Sequence, residues 1–343
     1  MTKLSPTQVT TGSTKDLWRL GILPIMAVGA FSGLFGIYWD ISWHIDKGRD
    51  TFFSPPHNLI YLSMGIVLVV TLLGFFRDRQ ASRFHLRLGR AHLHPGLVIT
   101  ALGTLLVLVF APADELWHRW FGTDLTLWAP MHLIGVLGLN MLSFGGLVGT
   151  WVDRRLTTDP GRQKLLGFVS IFFAATLIGW YGVLLAEYEF VVPAFPTFWH
   201  PLLLTGLPVF VLVLIARLNP VPFAATLAAT GFTLIRLLLA GWLMISSSVN
   251  LAGHSKPAIP FLLLAGIAAD LLVKRSPLWL SGLVIGLTCF VTNYLLTLIS
   301  SVNWHQGALV FGLPSGLVLA VMAAYSGSWV AESLKPKTTV DDA

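Results

Sequence analysis

The chain has 343 residues, of which 55% are apolar and only 11% charged. A soluble globular domain carries about 25% charged residues, so a water-soluble fold is excluded, and so apolar a chain cannot stay solvated as a disordered one. The net charge is +6 and there is one cysteine, Cys289, which excludes an internal disulfide framework or a cysteine-rich zinc site.

The remaining fold class is all-α, a polytopic membrane helix bundle of about ten transmembrane helices. Residues 1–17 form a polar tail. The long apolar segment after them has no early small-residue cleavage site and is expected to be a retained span, not a cleaved signal peptide. Apolar runs follow at 20–40, 57–76, 95–115, 131–151, 165–186, 197–216, 221–246, 258–273, 277–300 and 306–327. The eighth is short, which suits a tilted or re-entrant helix. Four parts are expected: the tail 1–17, a pair of repeated hairpins over 18–152 (helices 1–4), a further bundle over 153–328 (helices 5–10), and a second tail over 329–343.

The polar breaks alternate in character. One set is basic: the N-terminus, 77–94 (Arg77, Arg79, Arg83, Arg87, Arg90), 152–164 (Arg154, Arg155, Arg162, Lys164), Arg217, Lys274–Arg275 and the C-terminus. The other set holds only Lys47, Arg49, Arg119 and Lys256. It carries Asp40, Asp46, Asp50, Asp114, Glu115, Asp124, Glu187 and Glu189, with His44, His57, His118, His132, His200, His254 and His305. The positive-inside rule places both termini in the cytoplasm and the acidic, histidine-rich face outside a cell (inner) membrane. The basic excess is therefore an orientation signal. With no long Lys/Arg tract or aromatic–basic alternation, no nucleic acid is expected as a partner.

Two stretches align at an offset of 74 residues. Asp40-x-x-Trp43-His44, Gly48-x-Asp50 and Pro55-x-His57 are matched by Asp114-x-x-Trp117-His118, Gly122-x-Asp124 and Pro130-x-His132, with one extra residue before the second proline. Each unit is helix, loop, helix, and two crossings per unit keep the copies parallel. Helices 5 and 6 give a weaker echo, with Glu187 thirteen residues before His200.

Residues four apart on a helix share a face, so Asp40 and His44 point together, and the turn before helix 2 brings His57 back beside them. Asp114, His118 and His132 repeat the pattern. One carboxylate and two imidazoles suit copper, zinc or non-haem iron and leave coordination positions open. Asp50 and Asp124 are candidates to orient ligand imidazoles, or equally to cap helices. Trp43 and Trp117 fit interfacial anchoring. Glu187, Glu189 and His200 are auxiliary candidates, and His254 and His305 lie on the same face alone. Arg236, deep in helix 7, needs a partner, for which Asp270 is the candidate. His85, His92 and His94 fall in the basic loop, which is expected to meet anionic headgroups. No nucleotide, acyl-transfer or thiol motif is present.

The segment Asp40-x-x-Trp43-His44, then Arg49-Asp50-Thr51-x-Phe53-x-Pro55-x-His57, resembles the signature of the C subunit of the copper membrane monooxygenases, the ammonia and particulate methane monooxygenases. The resemblance spans residues 38–150. It implies a copper ion held by Asp40, His44 and His57, and a neighbouring copper position at Asp114, His118 and His132. There the family has an amide where this chain has Asp114. It implies an oxidoreductase acting on a small substrate with O2, beside other subunits or an electron donor such as quinol, and oligomeric assembly. Departures are equally plain: helices 5–10 have no counterpart, and the family's other subunits are separate chains. A copper or zinc transporter, or a non-catalytic metal-binding assembly or sensor protein, is the competing expectation.

Overall fold

A computed structural model describes residues 17–48, 51–77, 86–88, 91–122, 126–248, 255–299 and 302–335. Among these the regular structure is helical apart from one small antiparallel hairpin, β1 Leu86–Leu88 with β2 Ala91–Leu93. The helices are α1 Leu17–Lys47, α2 Pro55–Arg77, α3 Pro95–Phe121, α4 Pro130–Leu156, α5 Pro160–Val183, the four-residue α6 Ala186–Glu189, α7 Trp199–Leu218, α8 Ala224–Ser248, α9 Leu263–Leu272, α10 Leu278–Thr297 and α11 Gln306–Leu334. Among the described residues nine helices are long and apolar enough to cross a membrane, so the chain is a multi-pass membrane helix bundle.

Prolines open α2, α3, α4 and α5, because proline at the first helical position wastes no hydrogen bond. The side chain of Asp159 caps α5 through the amides of Gly161 and Arg162. His94 caps α3 through Leu97 N and contacts Asp153 of α4 at 3.3 Å, with both side chains nearly buried. That corrects the expectation that His94 faces headgroups: the carboxylate of α4 draws it into the bundle.

The four repeat helices close on one another, α1 on α2, α2 on α3, α3 on α4 and α4 on α1. Lipid offers no hydrophobic drive for such packing, so close backbone approach supplies it. At Gly103 an added Cβ would stand 2.5 Å from Gly138 O of α4, and only glycine fits there. α5 packs against α1, α4 and α8, and joins the repeat to α7–α11. α11 lies along α7 and continues to Leu334, so residues 329–334, assigned to a tail from sequence, extend the last helix.

The run at 258–273 departs most from expectation. Residues 255–262 are irregular, and only Leu263–Leu272 is helical. Pro257 and Pro260 stop helix formation by removing amide donors and crowding the preceding turn. The segment still traverses the bundle. Ser255 is bonded to Asp46 at the end of α1, while Asp270 caps the opposite end of the neighbouring α8 at Ala225 N and Thr226 N. Non-helical backbone at membrane depth is tolerated only where protein satisfies it. Here Ala258 N donates to Glu189 O, Arg236 donates to Ala258 O, and Asn293 both accepts from Phe261 N and donates to Phe261 O.

Arg236 is therefore not paired with Asp270. Its Nη2 donates to Glu189 Oε2 at 2.6 Å, and its guanidinium lies 3.9 Å from the Tyr38 ring centroid. Asp270 is spent on the amides that open α8, which leaves the carboxylate of α6 to balance the arginine.

Candidate metal centre

α1 continues to Lys47 and α3 to Phe121. This helical continuation puts His44 one turn after Asp40 and His118 one turn after Asp114. Asp40, His44 and His57 each offer a ligand atom, and these atoms lie within 4.8 Å of one another. The same holds for Asp114, His118 and His132. In the first triad Asp40 Oδ1 is 3.0 Å from His57 Nε2 and 3.5 Å from His44 Nδ1. In the second, Asp114 contacts His118 Nε2 at 3.4 Å and His132 Nε2 at 3.7 Å. The two imidazoles of each triad are 5.9 Å apart, tilted by 45° in the first and 48° in the second.

The second ring nitrogens are held by backbone carbonyls. His57 Nδ1 lies 3.3 Å from Thr51 O and His132 Nδ1 3.3 Å from Thr126 O. In both copies the acceptor is six residues before the histidine. A neutral imidazole that donates its Nδ1–H to such a carbonyl keeps its Nε2 lone pair for a cation. His118 Nδ1 is held by Gly122 O at 3.1 Å, whereas His44 Nδ1 lies 2.9 Å from Asp40 O. The copies thus differ in how their first histidine is fixed.

Two ligands each about 2.0–2.2 Å from one ion stand roughly 3–4 Å apart. The nitrogen–carboxylate separations of both triads fall there, and Asp40 Oδ1 is buried without a hydrogen bond of good geometry. The donor set and its spacing fit a small cation of the copper or zinc kind.

Both triads open on one cavity of about 490 Å³, inside the 300–1,000 Å³ range of small-molecule sites. Its floor is apolar, with Ile37, Ile60, Val107, Phe110, Leu139 and Val183 below the polar groups. The triads are not lined identically. Tyr61 stacks on His57 at 5.8 Å, where the second copy has Val136. Glu115 stands at the second copy's equivalent of Ile41.

Glu187 also lines this cavity. It is buried, and its Oε1 accepts from Thr126 Oγ1 and Leu127 N while Oε2 accepts from Ala194 N at 3.0 Å. Burial and the Glu187 charge push the neighbouring Tyr188 phenol up to about 12, so it stays protonated and donates to Pro196 O. His200 is elsewhere. It accepts from Trp304 Nε1 at 2.9 Å, stacks on Tyr188 and does not line the cavity. Glu189 turns to Arg236. His305 precedes α11 as an exposed residue. Asp50, Asp124 and His254 lie outside the described residues. Sequence reasoning missed the carbonyls of Thr51 and Thr126, although the signal is plain: both copies carry threonine six residues before the second histidine.

The site defined so far is a paired carboxylate–imidazole centre at one end of a membrane helix bundle. No protein-family model, curated protein or solved structure matches the chain.

Proposed function

We propose that this protein is a copper-binding integral membrane oxidoreductase of the kind represented by the C subunit of the copper membrane monooxygenases, acting on a small, weakly polar substrate with O2. One observation supports this above the others: two triads of matching ring geometry face one cavity whose floor is apolar. Asp40, His44 and His57 would hold one ion; Asp114, His118 and His132 would hold another. Copper, when bound, supplies redox chemistry toward O2 at its open positions. The chain's own part is to fix the imidazole tautomers through Thr51 O, Thr126 O and Gly122 O, and to admit an apolar substrate against Ile37, Val107 and Leu139. Two electrons per turnover come from an external donor, a quinol or a partner protein. The metal end faces the outside of the cell membrane and both termini face the cytoplasm.

The test is metal analysis of the purified full-length chain with His44→Ala and His118→Ala. Each change is expected to remove copper from its own triad, and the double variant should retain none. Copper that survives both at wild-type stoichiometry ends this reading. The broken crossing at 255–272 favours a second reading, a metal transporter, because discontinuous helices line transport sites. However, the polar groups beside it, Arg236 and Asn293, are engaged with protein. Copper uptake into proteoliposomes is expected to be nil for the enzyme and saturable for a transporter.

A further inference from the structure

The two triads share a ligand set but not a support. The turn before His57 carries Thr51 O, the acceptor for His57 Nδ1. Beyond it Phe53 is 70% exposed, and Asn58 of the following helix reaches back to Phe53 O. Phe52 of the same turn stacks on Tyr61 of that helix, so among the described residues these braces of the turn come from its own hairpin. The turn before His132 is built differently. Glu187, from the α5–α7 connection outside the repeat, takes Thr126 Oγ1 and Leu127 N on a single oxygen and fixes its other oxygen on Ala194 N. Trp128 Nε1 of the same turn donates to Leu184 O at 2.9 Å, and the Trp128 ring stacks on Phe195 and packs edge-on against Trp199. Thr126 is therefore pinned at its hydroxyl while its carbonyl holds His132 Nδ1.

We infer that Glu187 is a positioning residue for the second triad, and that it makes Asp114–His118–His132 the tighter of two unequal metal sites. This deepens the proposed function and rests on it. The argument is one of preorganisation. A ligand imidazole binds a metal strongly when its ring is already held in the productive tautomer and orientation, and loss of such an outer partner typically costs about 10–100-fold in metal affinity. His57 relies on a turn braced by its own hairpin. His132 relies on one clamped by a buried carboxylate with three donors. Charge acts in the same direction. Among the described residues, Glu187 lines the cavity beside the second triad, Glu115 also lines it but is ion-paired with Arg119 at 2.9 Å, and Ile41 and Tyr61 stand beside the first. A dication is favoured where more negative charge is near.

The experiment uses full-length protein in two backgrounds. Asp40→Ala with His57→Ala leaves the second triad alone; Asp114→Ala with His132→Ala leaves the first. Cu(II) alone is the probe, read by competition with a coloured chelator and by electron paramagnetic resonance. The second-triad protein is expected to bind Cu(II) at least about tenfold more tightly than the first-triad protein. Glu187→Gln is expected to erase most of that difference and to change the Cu(II) resonance in the second-triad background, while leaving first-triad affinity within about twofold. That unchanged first triad also reports an intact fold. Thr126→Val, which removes only the hydroxyl, is expected to act in the same direction and more weakly. A second-triad affinity and resonance unmoved by both changes overturns the inference and leaves the proposed function standing. No Cu(II) bound by the unmodified protein overturns both.

Discussion

Gly36 and Phe110 hold equivalent places in the two hairpins, and so do Ile60 and Gly135. A Cβ at Gly36 would stand 2.7 Å from Ile60 Cγ1, and one at Gly135 would stand 2.7 Å from Phe110 Cε1. Each hairpin thus packs one large residue against one glycine just beneath its Asp–His–His triad, but on opposite helices. The exchange preserves helix spacing, and with it the similar ring separations of the two triads. Gly135→Ala is expected to overpack this contact at a cost of about 1–3 kcal/mol, read as a lower thermal midpoint in detergent. Adding Phe110→Leu should recover most of the loss; a midpoint unchanged by the single substitution would contradict the packing argument. The triads were legible in the chain for a simple reason. Helical spacing fixes which side chains share a face, and the repeat displays the pattern twice. Glu187 was visible only as a nearby acid, because its hydrogen bonds to Thr126 and Leu127 depend on how a third hairpin packs.

At the scale of elements, the broken crossing and α6 depend on each other. Glu189 serves Arg236 through its carboxylate and Ala258 N through its carbonyl, while Arg236 serves Ala258 O. Removing one member of a buried ion pair leaves the other charge stranded, at about 3–5 kcal/mol. Arg236→Met is therefore expected to lower stability sharply in thermal or denaturant unfolding. Arg236→Met with Glu189→Leu should be distinctly milder, since an apolar pair of similar volume leaves no buried charge. A double variant as unstable as the sum of the singles would argue that the Ala258 carbonyl, not the charge, is what Arg236 protects. Sequence alone showed that Arg236 required a partner. It misidentified the partner because Asp270 lies in an apolar run that invites a helix–helix pair, whereas α6 is four residues long and has no periodicity to reveal it. The same blindness applied to 255–262: hydropathy reads an apolar irregular stretch and an apolar helix alike, and only Pro257 and Pro260 distinguished them.

For the molecule as a whole, the ends of the bundle are chemically unlike. His44, His57, His118, His132 and Glu187 gather at one end. Arg217, bonded to Glu332 and Val273 O, and Lys335, bonded to Glu332, lie at the other with Asp153 and Asp270. The proposed orientation makes a direct prediction. In a Cys289→Ala background, Phe121→Cys, at an exposed position, is expected to react with a membrane-impermeant maleimide on intact cells, and Lys335→Cys only after lysis. The reverse labelling would turn the molecule over and put the triads inside.

The non-helical residues 255–262 also bear on the order in which the chain settles. This stretch leaves the ribosome before α10, yet two of its backbone groups depend on Asn293 of that helix. The ten residues of α9 are too few to span the hydrocarbon core by themselves, and an open backbone has no water there to satisfy it. Insertion of this crossing must therefore wait for a helix made later. This irregular segment, with Pro257, Pro260 and Leu262 buried, then reaches its place only after a helix that follows it in the chain has entered the lipid.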